Sequence, residues 1–103
     1  MLVRMTQEDI DNGEPRCSEG CPLARAVLRY LGDSPDISNV SVLPFGKRGM
    51  SWRVRLYSFP GGSQDVLEYE VPDEVARKIK DYDEGYELEP CLVELKFKRR
   101  ILL

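Results

Sequence analysis

The 103-residue chain contains no histidine. Histidine is the commonest general base and the commonest metal ligand, and it activates many serine and cysteine nucleophiles. Its absence excludes every Ser–His and Cys–His pair and removes the most frequent donor in metal sites. We therefore expect a protein that is not an enzyme and that carries no cofactor.

Long apolar runs are also missing, and none approaches the roughly 20 residues of a membrane-spanning helix. The first ten residues lack the apolar core of a secretory signal. The three cysteines are too few, and odd in number, for the disulfide scaffold of a secreted protein. The net charge is only −3, which predicts no strong overall attraction to nucleic acid or to a membrane. We expect a cytoplasmic protein with no membrane partner.

The size and the composition predict one small domain. A chain of this length buries enough surface to form a core without metals or disulfides, and an apolar fraction of 42% is ordinary for a globular protein. We expect a single α+β domain over residues 1–103, with residues 98–103 as an exposed tail.

Helix signatures occur at three places. Thr6 with Asp9 has the spacing of a capping box and predicts a short first helix. Pro22 suits the first position of a second helix, because its missing N–H needs no partner there. Pro72, followed by two acidic residues, predicts the start of a third helix, which Gly85 ends.

Residues 38–71 predict a three-stranded antiparallel meander with turns at 47–49 and 60–63. One register places opposite charges together on one face and apolar residues together on the other. Its pairs are Arg55 with Glu68, Arg53 with Glu70, Leu56 with Leu67 and Val40, and Val54 with Tyr69 and Val42.

A further strand alternates apolar and polar residues from Cys91 to Lys98. Together with the meander, it predicts an α+β fold: an antiparallel-rich sheet of four or five strands with two main helices packed on one face, as a two-layer sandwich.

Two thiols, Cys17 and Cys21, lie just before the second helix. A helix N-terminus stabilises a thiolate, so Cys21 occupies a position where a cysteine can become reactive. Packing at the loop, a Cys17–Cys21 disulfide and a weak metal site are the alternatives. A closed zinc site needs four ligands and the chain has three sulfurs, so we expect no metal.

Basic residues form two candidate binding groups, Lys47 with Arg48 at a hairpin turn, and Lys98, Arg99 and Arg100 near the C-terminus. Such groups could follow a phosphate backbone. Against nucleic acid, the meander gives Arg53 and Arg55 acidic partners and turns Trp52 towards the core. The acidic group Asp81, Asp83 and Glu84 predicts a solvated rim, or alternatively a surface that mimics nucleic acid and binds a basic groove.

Three segments resemble a group of small uncharacterised proteins from phage and prophage genomes. They are Thr6-Gln7-Glu8-Asp9-Ile10 with Gly13, then Cys17 to Cys21 with Pro22 and its helix, and Pro72-Asp73-Glu74-Val75 with Asp83 and Gly85. That group commonly has two residues between its cysteines, where this chain has three. The resemblance implies a gene of a phage or mobile element.

We therefore expect a small non-enzymatic interaction protein that binds and modulates a host macromolecule, for example a defence-system inhibitor such as an anti-CRISPR protein. The expected partner is a host protein, and the apolar end Ile101 to Leu103 predicts a homodimer contact. One alternative is a nucleic-acid-binding regulator. Another is a thiol or metal protein that uses Cys17 and Cys21.

Overall fold

The computed structural model describes residues 1–32, 37–45, 51–58 and 65–102. Within them the chain is α+β, which confirms the expected fold class. The elements are β1 (Leu2–Met5), α1 (Gln7–Asn12), α2 (Pro22–Leu31), β2 (Ile37–Phe45), β3 (Ser51–Ser58), β4 (Asp65–Glu70), α3 (Asp73–Asp83), β5 (Cys91–Glu94) and β6 (Lys96–Leu102).

The larger sheet is antiparallel, with the strand order β2-β3-β4-β6. Every meander pair that the charge and apolar pattern predicts is confirmed, including Arg55 opposite Glu68 and Val54 opposite both Val42 and Tyr69. The two turns that join these strands lie outside the described residues. The register is correct because a slip by one residue would place arginines against the apolar face.

A second, two-stranded sheet joins β1 to β5, so the single last strand expected from 91 to 98 is wrong. Leu95 divides it: its N–H donates to the Met1 carbonyl at 2.7 Å and its carbonyl accepts from the N-terminal ammonium at 2.9 Å. The alternation of apolar and polar residues continues from β5 into β6, so the sequence pattern does not show that the chain passes from one sheet to the other here.

The expected tail at 98–103 is also corrected. Residues up to Leu102 form strand β6, which pairs with β4 and leaves most of its side chains exposed. Leu103 lies outside the described residues.

Helices α2 and α3 pack on one face of the larger sheet, where α2 contacts β2 and α3 contacts β3. Val40, Val42, Val54 and Leu56 are buried between the layers, and full burial of such a side chain stabilises the fold by about 1.5–3 kcal/mol. No helix covers the opposite face in the part of the chain that the structure describes. None of the described helices combines the length and apolar character needed to cross a membrane.

Candidate functional site

The first motif, Thr6 to Gly13, builds the contact between α1 and α2. Thr6 and Asp9 form the predicted capping box, in which the Thr6 N–H donates to Asp9 Oδ2 at 2.9 Å. Asp9 is buried and pairs with Arg29 of α2, whose other terminal nitrogen donates to the Arg4 carbonyl at 2.6 Å. Burial opposes ionisation of Asp9, but the bonds from Arg29 and Thr6 outweigh it and lower the pKa of this carboxyl. These residues hold α1, α2 and β1 together.

The loop between α1 and α2 is held against α3. The Tyr82 hydroxyl donates to the Gly13 carbonyl at 2.9 Å, and Asp83 Oδ1 accepts from the Arg16 N–H at 2.8 Å. Gly13 also packs closely against the ring of Pro22. The loop between α1 and α2, the start of α2 and the end of α3 therefore meet at this corner, where their contacts hold the fold together.

The two thiols at this corner differ in exposure, since Cys17 is half-buried and Cys21 is buried. Both Cys17 and Cys21 are free, and Cys21 lies at the N-cap of α2 as expected. Burial raises the pKa of the Cys21 thiol to about 11, against the effect of the helix N-terminus, so it is protonated at neutral pH. Only 3% of Cys21 is exposed, so burial outweighs the stabilisation of a thiolate that its position at the helix N-terminus could give, and packing is the alternative that this burial favours. Among the described residues, no three His, Cys, Asp or Glu side chains are grouped to hold a metal.

A cleft of about 340 Å³ opens beside the corner. Its apolar walls include Val42, Trp52 and Ile79, and Cys21 and Asp83 also line it. Because the Cys21 thiol is protonated, it does not provide a thiolate nucleophile in this cleft. The cleft provides mainly apolar contacts.

The predicted acidic group is divided by the structure. Asp83 is half-buried and bonds to the loop, whereas Asp81 and Glu84 are exposed at the end of α3. Asp81 and Glu84 are thus open to solvent, whereas the Asp83 carboxylate is engaged within the fold.

A group of four charged side chains lies on the face of the larger sheet opposite the helices. Glu68 projects from β4 and is 0% exposed, which differs from the solvated position expected for an outer face. Three arginines cover it, two from β3 and one from β6. The Glu68 carboxylate lies 3.4 Å from Arg53 Nε, 3.1 Å from Arg55 Nε and 3.0 Å from Arg99 Nη2. We call Arg53, Arg55 and Arg99 the arginine face.

The arginine face is held in place by more than its shared carboxylate. The Arg55 guanidinium lies over the Phe45 ring, 4.6 Å from its centroid, and Arg53 Nη1 donates to the Trp52 carbonyl at 3.4 Å. Burial raises the pKa of Glu68, but hydrogen bonds from Arg99 and Arg55 outweigh it and the pKa falls below its ordinary value. The Glu68 carboxylate is therefore ionised at neutral pH and acts as the counter-ion of the three arginines.

Two members of the predicted C-terminal basic group, Arg99 and Arg100, lie on opposite faces of the sheet. Arg99 joins the arginine face, whereas Arg100 lies on the helix-bearing face and donates to Asp65. Lys98 is exposed at the register shift between β4 and β6. Lys47 and Arg48 lie outside the described residues.

Sequence reasoning missed the burial of Glu68 and its pairing with Arg53. The two-residue alternation correctly placed Arg53, Arg55 and Glu68 on one face. The sequence pattern did not predict that β6 pairs with β4. This pairing places Arg99 opposite Glu68, so that Arg99 helps to bury the Glu68 carboxylate.

Comparisons with protein-family models, with curated proteins and with solved structures give no match.

Proposed function

We propose that this chain is a small non-enzymatic interaction protein that binds an acidic surface of a host protein through the arginine face and thereby changes that protein's activity. The observation that supports this most directly is the imbalance of charge at the face. Three guanidinium groups share the one carboxylate of Glu68. An external carboxylate would offset the remaining positive charge.

Arginine suits this role because each guanidinium presents five donors in a planar fork that matches a carboxylate. In the described structure, Glu68 engages mainly the Nε groups of Arg55 and Arg99, with Arg99 Nη2 beside it. Arg53 Nη1 donates to the Trp52 carbonyl, and the side chains of Arg53, Arg55 and Arg99 are 12%, 26% and 57% exposed, so Arg99 offers a partner the most accessible N–H groups. Charges arranged on a fixed surface favour the selection of a complementary partner.

A phage or mobile-element setting, and with it a host target such as a defence protein, rests on the resemblance of the three segments to phage and prophage proteins. In this proposal those segments maintain the fold, while the uncovered sheet face makes the contact.

An acidic protein surface explains the geometry better than nucleic acid does. Single-stranded nucleic acid binds to sheets by stacking bases on exposed aromatic rings. Here Arg55 covers the Phe45 ring, and Trp52 is packed against the core.

The homodimer through the apolar end, Ile101 to Leu103, stays a prediction. One form of it, the pairing of two β6 strands, would carry an electrostatic cost. Side-by-side pairing of two β6 strands would bring together the like charges of Lys96, Lys98, Arg99 and Arg100. Such contacts destabilise strand pairing, and edge lysines commonly prevent it.

The test measures binding of a fluorescent oligo-glutamate peptide by anisotropy, with Arg99→Gln compared against Arg100→Gln. The two arginines are adjacent on β6, their side chains are 57% and 58% exposed, and each pairs with a carboxylate. They lie on opposite faces of the sheet. We expect Arg99→Gln to weaken binding about fivefold, the upper range for one exposed charge pair, and Arg100→Gln to leave it unchanged.

Equal effects of the two substitutions would show that only net charge matters and would contradict the proposal. A single-stranded DNA oligonucleotide provides the second arm. If DNA binds more tightly than the peptide and its affinity falls steeply with salt, the nucleic-acid alternative replaces the protein partner.

A further inference from the structure

Glu68 occupies an unusual position for an acidic residue at a surface that binds acidic partners. It lies at the centre of the uncovered face of the sheet, it is fully buried, and three guanidinium groups surround it. Considered by charge alone, this carboxylate should lower the affinity for an acidic partner, because like charges repel. The contacts indicate a different role.

Two arginines of the face donate hydrogen bonds to Glu68, and Arg53 lies beside the same carboxylate without donating one from its Nε. Arg55 Nε donates to Glu68 Oε2 at 3.1 Å, and Arg99 Nε donates to Glu68 Oε1 at 3.0 Å. Arg53 lies beside the same Oε1 atom. The carboxylate therefore draws side chains from β3 and β6 together across β4.

A free arginine side chain loses about 2 kcal/mol of conformational entropy when a partner fixes it. A residue that fixes three arginines before binding removes much of that cost. We propose that Glu68 is a positioning residue: its buried carboxylate holds Arg53, Arg55 and Arg99 in one arrangement, from which their outward N–H groups bind the carboxylates of an acidic protein surface. This inference rests on the proposed function.

The test is the substitution Glu68→Gln, with Glu70→Gln as the matched control. Glu70 lies two residues further along β4 on the same face and is exposed, opposite Arg53 and Lys96. Both substitutions raise the net charge by one. We expect Glu70→Gln to bind the oligo-glutamate peptide as tightly as the wild type or more tightly, because it removes a repulsive charge. We expect Glu68→Gln to bind about tenfold more weakly, the effect of losing one charge-assisted hydrogen bond.

Glu68→Asp is the second variant and does not alter charge. Its carboxylate is one methylene shorter and does not reach all three arginines. We expect severalfold weaker binding and broadened or shifted Arg Nε–Hε resonances in the NMR spectrum of the free protein. These resonances test the positioning directly, including when Glu68→Gln fails to fold.

Two results would overturn the inference while leaving the proposed function intact. One is tighter binding by folded Glu68→Gln than by the wild type. The other is unchanged affinity and unchanged arginine resonances in Glu68→Asp. If the wild-type protein does not bind the peptide, the proposed function fails and this inference fails with it.

Discussion

Substitution of Gly13 by alanine tests whether the corner between α1, α2 and α3 holds the fold together. A Cβ atom at Gly13 would lie 2.7 Å from two ring carbons of Pro22 and 2.8 Å from the Asp9 carbonyl oxygen. Real Cβ atoms do not approach other atoms so closely. Both neighbours are rigid, since one is a proline ring at the start of α2 and the other is backbone of α1. Relief therefore requires movement of one helix against the other.

The backbone of Gly13 itself is not the obstacle, because its φ of −76° and ψ of 156° suit alanine. At such a position, replacing glycine by alanine stabilises a protein by about 0.4–1 kcal/mol through the unfolded chain. Overpacking costs about 1–3 kcal/mol. We expect a net loss of about 1–2 kcal/mol, which lowers Tm by about 4–8 °C for each kcal/mol in a domain of this size.

The assay is urea and thermal unfolding of Gly13→Ala beside Gly20→Ala. A Cβ at Gly20 would meet the Cys17 sulfur at 3.1 Å, and that side chain can rotate away. We expect the Gly20 variant to stay within about 0.5 kcal/mol of the wild type, as most unstrained changes do. Equal or greater stability of Gly13→Ala would refute the account of the corner.

Three further predictions concern single side chains. Glu68 has a pKa below its ordinary 4.5, because hydrogen bonds from Arg99 and Arg55 outweigh the effect of burial. The contribution of Glu68 to the free energy of unfolding is therefore present above pH 4.5 and is lost as the pH falls through the folded-state pKa. Urea unfolding across this range should therefore show a steeper loss for the wild type than for Glu68→Gln, and parallel curves would contradict the prediction. Cys21 should react with iodoacetamide at neutral pH only when the fold opens, because the thiol is buried and protonated. Rapid labelling of Cys21 in the native state, located by mass spectrometry, would contradict this prediction. Tyr82→Phe removes a hydroxyl that donates to the loop at 2.9 Å and should cost about 1 kcal/mol in chemical unfolding, whereas an unchanged midpoint would show that this bond contributes nothing.

The meander was predictable from local patterns because its two faces differ so clearly. Opposite charges on one face and apolar residues on the other admit one register, and that register also identified Arg53, Arg55 and Glu68 as neighbours. The capping box at Thr6 was equally predictable, since it depends on residues three apart. Such short-range information is contained in the sequence itself.

The placement of the C-terminal residues in the sheet could not be predicted without long-range information. Whether residues 96–102 pair with β1 or with β4 depends on the packing of the whole chain, because both partners accept the same alternation. The pairing with β4 sends Arg99 to one face and Arg100 to the other. It also buries Glu68, so the centre of the candidate site appears only after the last strand is placed.

The central claim, that the arginine face is the binding surface, is tested most directly by NMR titration of the ¹⁵N-labelled protein with the oligo-glutamate peptide. The Nε–Hε resonances of arginine report each side chain separately. Our account predicts that the largest shifts occur at Arg53, Arg55 and Arg99, with Arg100 little affected. Largest shifts at Arg16 or Arg100, or no shifts on addition of peptide, would contradict it.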